Sequence, residues 1–231
     1  MIHFNQVSKV YTRRGEAITA FSCQCLTINP GEYVAIVGPS GSGKSTLLSL
    51  LGGMLTPTTG KVLFDGISLY DLSPAERSEI RRQGMGFVFQ TFNLIPYLSA
   101  IQNVQVPLCL LNMKAEEQES HAVEMLKRFG LAERMHHLPS EMSVGQQQRV
   151  ALARTLINNP KVILADEPTG NLDPESREVV LQAFDECRDD GRTIIMVTHD
   201  PQAANRAQRC LELRSGQLTD AVGRSPVGKV A

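Results

Sequence analysis

Apolar and polar residues alternate through the first thirty positions of the chain, the pattern of half-exposed strands, and the alternation closes at the turn "NPGE". "YVAIV" is then apolar throughout and predicts a short buried strand; "GPSGSGKST" predicts a glycine-rich turn and "LLSLLGGML" the helix after it. "TPTTGKVLFDG" reads as a loop and a strand. Ser73-Pro74-Ala75-Glu76 combines an N-cap serine, a proline at the first helical position and a capping-box glutamate, so a helix starts there. "MGFVFQ" reads as a strand ending in Gln90. From Thr91 to about Met142 the character turns helical, most clearly in "AEEQESHAVEMLKRFGLAERM". Strand and helix resume after Ser143: "KVILAD", a helix from Pro174 to about Asp189, "RTIIMVTHD", a short helix, and "RCLELRSGQLTD". Alternating helices and fully apolar strands indicate an α/β fold with a mainly parallel sheet covered on both faces. The helical segment, about 91–142, is expected as a lobe inserted between core strands, and no internal repeat is visible.

The 231 residues suffice for one substantial core with a smaller lobe attached, so a single unit over 1–220 is expected. The last residues, 221–231, hold too little apolar content to pack and read as a mobile tail. Lys and Arg number 23 against 24 Asp and Glu, which gives no broad basic field for nucleic acid. Five cysteines without a regular framework read as reduced thiols of a cytosolic protein. Cys23 and Cys25 would share a face of one strand, either to pack or, as the rarer alternative, to bind metal. The start, "MIHFNQVSKV", lacks the apolar core of a signal peptide, and runs such as "VPLCLL" and "TIIMV" are far short of the ~20 residues that span a bilayer. A soluble protein is therefore expected, with any membrane role arriving through a partner.

"GPSGSGKS" carries the chemistry of a phosphate cradle. Its glycines let successive backbone N–H groups converge on phosphate oxygens, the helix behind adds its positive end, Lys44 reaches the β and γ oxygens, and Ser45 is placed to ligate Mg²⁺. "VILADE" sets Asp166 and Glu167 at the end of a buried apolar strand, where unpaired charge is costly; a metal beside Asp166 resolves that cost and Glu167 is then the base for an attacking water. His199 and Gln90 also follow strands, at the carboxyl edge where parallel sheets bind ligands. Asp173 before Pro174 is a well-formed N-cap, and Tyr11 is open to two readings, an exposed strand tyrosine or a ring stacked on a base. "SVGQQQRVALART" is a helix with a serine cap, which is either an ordinary capped helix or, through its free first-turn amides, a second anion site.

The ordered set of motifs resembles the nucleotide-binding subunit of ABC transporters from Met1 to about Asp220. It looks like Walker A at Gly38-Pro39-Ser40-Gly41-Ser42-Gly43-Lys44-Ser45-Thr46, the Q-loop at Gln90, the signature at Met142-Ser143-Val144-Gly145-Gln146, Walker B at Val162 to Asp166, the catalytic Glu167, the D-loop at Asn171-Leu172-Asp173 and the switch His199. Tyr11 matches the adenine-stacking aromatic of the family, and "RRQGMGFVFQTFNLIPYLSAIQNVQVPL" with "ADEPTGNLD" is similar to its lipoprotein-release and macrolide-efflux group, the LolD/MacB type. The resemblance implies a P-loop NTPase of ABC type, with an N-terminal antiparallel β subdomain beside the core sheet and an inserted helical subdomain. It implies ATP and Mg²⁺ as ligands, the metal held by Ser45, Gln90 and Asp166. It implies two copies enclosing ATP head to tail, Ser143, Gly145 and Gln146 of one copy serving the nucleotide on the P-loop of the other. Integral-membrane permease subunits are the further implied partners, holding the chain on the cytoplasmic face of the membrane, with no nucleic acid involved. Phe92, Leu94, Ile95, Tyr97 and Leu98 are candidates for the groove that receives a membrane subunit, or else for core. One departure stands in the signature: Val144 occupies the place of the family's first glycine, and ATP binding is expected to survive it while closure or turnover slows.

Two other functions compete. A soluble ABC ATPase of DNA repair or translation usually carries long coiled-coil insertions or two fused nucleotide domains, and neither is present in this sequence. A P-loop small-molecule kinase leaves "SVGQQQ" without a purpose.

Overall fold

The computed structural model describes residues 1–13, 15–111 and 113–220; the tail read as mobile lies outside the described residues. Among the described residues ten strands form one sheet in the order β5-β4-β1-β2-β10-β9-β3-β8-β7-β6. Its N-terminal portion is antiparallel: β1 (Ile2–Arg13) pairs with β2 (Glu16–Ile28) and with β4 (Thr59–Phe64), which turns into β5 (Ile67–Ser68). Its core is parallel: β3 (Tyr33–Val37) lies between β8 (Thr193–Thr198) and β9 (Arg209–Arg214), followed by β7 (Val162–Asp166) and β6 (Met85–Val88). β10 (Gln217–Asp220) folds back antiparallel on β9 and touches β2 through a single pair, Gln217 with Ser22, which joins the two portions.

The helices cover the sheet in two layers, each with its own apolar cluster. α1 (Lys44–Leu51) inserts Leu47, Leu48, Leu50 and Leu51 between the antiparallel portion (Phe4, Phe21, Leu26) and the parallel strands (Ile36, Leu164, Val197). Full burial of a leucine contributes about 1.5–3 kcal/mol, so this one short helix fastens both portions of the sheet. It stops at Gly52, earlier than the apolar run through Leu55 suggests, because the glycine pair caps it and Gly53 turns left-handed at φ 64°. On the other face α3 (Ala100–Gln105), α4 (Ala115–Arg128), α5 (Val144–Leu156) and α6 (Pro174–Asp189) gather around Leu126, Val150, Leu152, Val180 and Phe184. Among the described residues the remaining α-helices are α2 (Pro74–Gly84), whose capping box is the one read from sequence, and α7 (Pro201–Ala204).

Local differences from the sequence pattern have physical causes. Helix in the inserted segment begins at Ala100 rather than Thr91, since Phe92 and Asn93 both take left-handed backbone angles, φ 57° and 49°. The stretch read through Met135 as helix ends at Arg128, where Gly130 turns at φ 66°. Cys23 and Cys25 do not share an environment: the first is buried, the second exposed. Burial along β2 changes phase between Cys23 and Leu26, opposite Gln6 of β1, itself left-handed at φ 49°. Among the described residues no group of three or more His, Cys, Asp or Glu is arranged to hold a metal, and no helix is long and apolar enough to cross a membrane.

Candidate nucleotide site

Parallel register assembles the site at one edge. Val37 lies opposite Thr198, and Asp166 opposite Val197, so β3, β8 and β7 end side by side and deliver the P-loop, His199 and Asp166-Glu167 to the same place. β6 ends at Val88, two residues before the expected strand end, and Gln90 reaches the edge from the following turn. The resulting cleft of about 610 Å³ is lined by Ser40, Gly41, Gly43, Lys44, Ser45, Thr46, Gln90, Asp166 and Glu167. Its outer wall is Ile18, Thr19 and Ala20 of β2 with Ser215 and Gly216 of the β9–β10 turn.

The P-loop is built to present amides. Gly43 sits at φ 106° as the N-cap of α1 and makes no side-chain cap, which leaves the first-turn N–H groups to the cleft. A Cβ on Gly43 would stand 2.2 Å from the Ala20 carbonyl oxygen, so both the backbone angle and the close approach require glycine. The Ser42 hydroxyl is buried without a hydrogen-bond partner among the described residues. Lys44 donates to the carbonyls of Gly38 at 2.9 Å and Pro39 at 3.1 Å, and its ammonium lies 3.6 Å from Glu167 Oε1. A helix N-terminus, a lysine and unoccupied donors converge here, which is what a polyphosphate needs.

The acidic pair divides its surroundings. Asp166 Oδ2 accepts from Ser45 Oγ at 2.9 Å. Burial pushes the Asp166 carboxyl above its ordinary value; the Ser45 hydrogen bond draws it down, Glu167 adds to the rise and Lys44 opposes it. Glu167 is left-handed, φ 46°, and buried, and its Oε2 accepts from the backbone N–H of His199 at 3.1 Å and meets His199 Nδ1 at 2.8 Å. His199 thus orients Glu167 directly, while its own ring is 65% exposed.

Other expected site residues lie outside this cleft. Tyr11, on β1, pairs with Ile18 of the cleft wall, but its ring is exposed with the Lys9 ammonium 5.2 Å from its centroid and is not part of the lining. Ser143, Gly145 and Gln146 do not line it either. Ser143 caps α5 through a reciprocal box: its hydroxyl accepts from Gln146 N–H at 3.3 Å, and Gln146 Oε1 accepts from Ser143 N–H at 2.9 Å. Val144 takes the first helical position with no left-handed angle and is 47% exposed. Phe92, Leu94, Ile95, Tyr97 and Leu98 do not line the apolar groove of about 470 Å³ beside them, which is formed by Met54, Met85, Phe87, Phe89, Val106, Pro107 and Leu110 with Arg81, Arg82 and Arg154.

Three further side chains tie these segments together and were not singled out in the sequence. Gln148, fully buried on α5, donates to the Pro168 carbonyl at 2.7 Å, just after Glu167. Asn103, also fully buried, accepts from Ile95 N–H and donates to the carbonyls of Ile95, Leu98 and Ser99. Arg154 donates to the carbonyls of Phe92 at 2.7 Å and Asn93 at 2.6 Å. Their available signal is a polar residue on the apolar face of a helix, which a buried partner has to satisfy.

Residues 24–170 match the protein family described as ABC transporter. The chain belongs to that family. Over 218 residues it is 44% identical to the ABC transporter ATP-binding protein YvrO of Bacillus subtilis (strain 168), covering 94% of this chain and 95% of that protein. It is 46% identical over 219 residues to the macrolide export ATP-binding/permease protein MacB of Wolinella succinogenes, covering 95% of this chain and 34% of that one. Among solved structures, a dimeric post-hydrolysis state of the ATP-binding cassette MJ0796 with ADP and Pi superposes with a TM-score of 0.89 at 42% identity, covering 97% of this chain and 100% of that one. The chain is accordingly an ABC transporter ATP-binding subunit of MacB type and an ATPase, with the α/β P-loop fold of ABC cassettes.

Proposed function

We propose that two copies of this chain close head to tail on Mg²⁺-ATP, hydrolyse it by in-line attack of water, and pass the closure and release to membrane permease subunits. The observation that carries this reading is the division of the site. The cleft gathers the P-loop, Lys44, Asp166, Glu167 and Gln90, whereas Ser143, Gly145 and Gln146, at the start of α5, stand apart from it. A second copy related by two-fold symmetry supplies the missing face. The related cassette MJ0796 is dimeric with ADP and Pi, which supports that arrangement.

In this reading the amides of Gly41 and Gly43 with Lys44 and Thr46 hold the phosphates, and Pro39, Ser40 and Ser42, whose N–H donates to the Pro39 carbonyl at 3.2 Å, complete the loop. Ser45, Gln90 and Asp166 fit a small hard cation, oxygen donors beside a phosphate cradle, and Mg²⁺ bound there would neutralise charge on the phosphate oxygens. Glu167, held by His199, takes the proton of the attacking water; a positioned base contributes about 10²- to 10⁴-fold. Gln90 and His199 respond to the γ-phosphate, and Tyr11 stacks on the adenine. Because the γ-phosphate joins the copies, ATP favours the closed dimer and hydrolysis releases it. MacB of Wolinella succinogenes is named for an ATP-binding and a permease function, and this chain matches about a third of it, so a membrane permease is the partner that completes the machine, seated in the groove of Phe87, Phe89 and Leu110 on the cytoplasmic side.

Replacing Glu167 with Gln tests the reading. Binding of ATP is expected to persist, turnover to fall by at least about 10²-fold, and an ATP-loaded dimer to accumulate in light scattering. Undiminished hydrolysis by this variant removes Glu167 from the role of base.

A further inference from the structure

Segment 90–99 leaves the cleft at Gln90, directly after the groove residue Phe89, and its first turn is conformationally costly. Phe92 and Asn93 are consecutive non-glycine residues in the left-handed region, and a phenylalanine there has no side-chain compensation of the kind asparagine finds locally. Such a turn persists only when its surroundings hold it. Two residues in that conformation direct their carbonyl oxygens the same way, and both oxygens are bound by a single guanidinium, that of Arg154 on α5. The planar fork of arginine suits two acceptors side by side, where an ammonium serves one at a time. The far end of the segment is fixed separately by Asn103, through Ile95, Leu98 and Ser99. The same Arg154 also forms part of the groove wall, next to Phe87 and Phe89, whose rings stack at 5.9 Å.

We infer that Arg154 is the positioning residue of the Gln90 loop: by gripping Phe92 and Asn93 in their left-handed turn it sets the approach of Gln90 to the nucleotide, and it exposes that setting to whatever occupies the groove. The guanidinium does not line the cleft, and acts through the backbone two and three residues beyond Gln90. Its position on α5 ties this loop to the helix that begins at Ser143. The inference rests on the proposed role of Gln90 for its kinetic consequence and on geometry alone for its structural one.

Two readouts test it. Amides of this loop are hydrogen-bonded, Phe92 N–H to Phe89, Asn93 N–H to Thr91 and Ile95 N–H to Asn103, so their hydrogen exchange reports whether the turn is held. In Arg154→Gln, exchange over 91–95 is expected to rise about tenfold or more, with the α1 peptide unchanged; Arg154→Lys is expected to fall between the two and guards against a variant that folds poorly. In hydrolysis, Arg154→Gln is expected to lower kcat about tenfold with KM for ATP altered less than about twofold, and to cost less than about twofold when introduced into Gln90→Ala. Unchanged loop exchange in both Arg154 variants overturns the inference, as does an equal loss of kcat in the two backgrounds. A failure of Glu167→Gln to form the ATP dimer would instead count against the reading of the site while leaving the exchange result intact, so the two failures are separable.

Discussion

At Gly145 the reason for a glycine lies inside the chain. A Cβ placed there would stand 2.0 Å from Ser176 Oγ and 2.7 Å from Ser176 Cβ, because the first turn of α5 packs directly on the first turn of α6. Gly145→Ala is expected to lower stability by about 1–3 kcal/mol, the range for overpacking, and the added Ser176→Gly to recover much of that in thermal denaturation. An Ala variant as stable as the parent would show that the two helices part easily. Its neighbour Val144 behaves differently. It is exposed and helical, so nothing within the chain demands or excludes a glycine there, and in the proposed two-copy arrangement its effect would fall on the nucleotide of the second copy. Val144→Gly is expected to raise ATPase activity, since the bare backbone approaches a phosphate more closely; an unchanged or lower rate counts against that.

Among the elements, α5 does the connecting. It holds the turn after Glu167 through Gln148, the end of β6 through Thr155 and the Phe87 carbonyl, and the Gln90 loop through Arg154. Gln148→Ala leaves the buried Pro168 carbonyl without its donor, which costs about 1–3 kcal/mol and is expected to lower kcat more than ATP affinity. α6 carries a pH signature. The Ser176 N–H and hydroxyl hold the Asp173 carboxyl below its ordinary value, so the cap contributes fully above that value and its contribution is lost as pH falls through the lowered one. The stability advantage of the parent over Asp173→Asn is therefore expected to shrink as pH is lowered from about 6 towards about 3, and a gap independent of pH would contradict it. These elements also show what the sequence could carry. The strands, α1, α2, α6 and the P-loop were legible because each is fixed by neighbours within about a turn: apolar runs, caps and glycines. The coil at 91–99 was not, since Arg154 and Asn103, remote in sequence, stabilise it against its apolar content. The phase change at Cys23–Cys25 was hidden for the same reason, being set across strands.

For the whole molecule, strand order explains why residues from 38 to 199 meet: β3, β8 and β7 are adjacent though distant in sequence, and their ends share one edge. The motifs announced which residues would gather there, and the family resemblance implied that the signature residues serve the nucleotide of another copy; in the folded chain those residues do not line the cleft. That separation is what the two-copy reading rests on. Mixing two inactive variants, both in the Glu167→Gln background, tests it: Lys44→Ala disables the P-loop of one copy and Ser143→Arg the signature of the other. A mixed head-to-tail pair retains one site made of two intact faces. With ATP and Mg²⁺, light scattering is expected to find each variant monomeric alone and dimers in the mixture, carrying one nucleotide per pair. Dimers from either variant alone, or a mixture that stays monomeric under conditions where Glu167→Gln by itself dimerises, would contradict a nucleotide held between two copies.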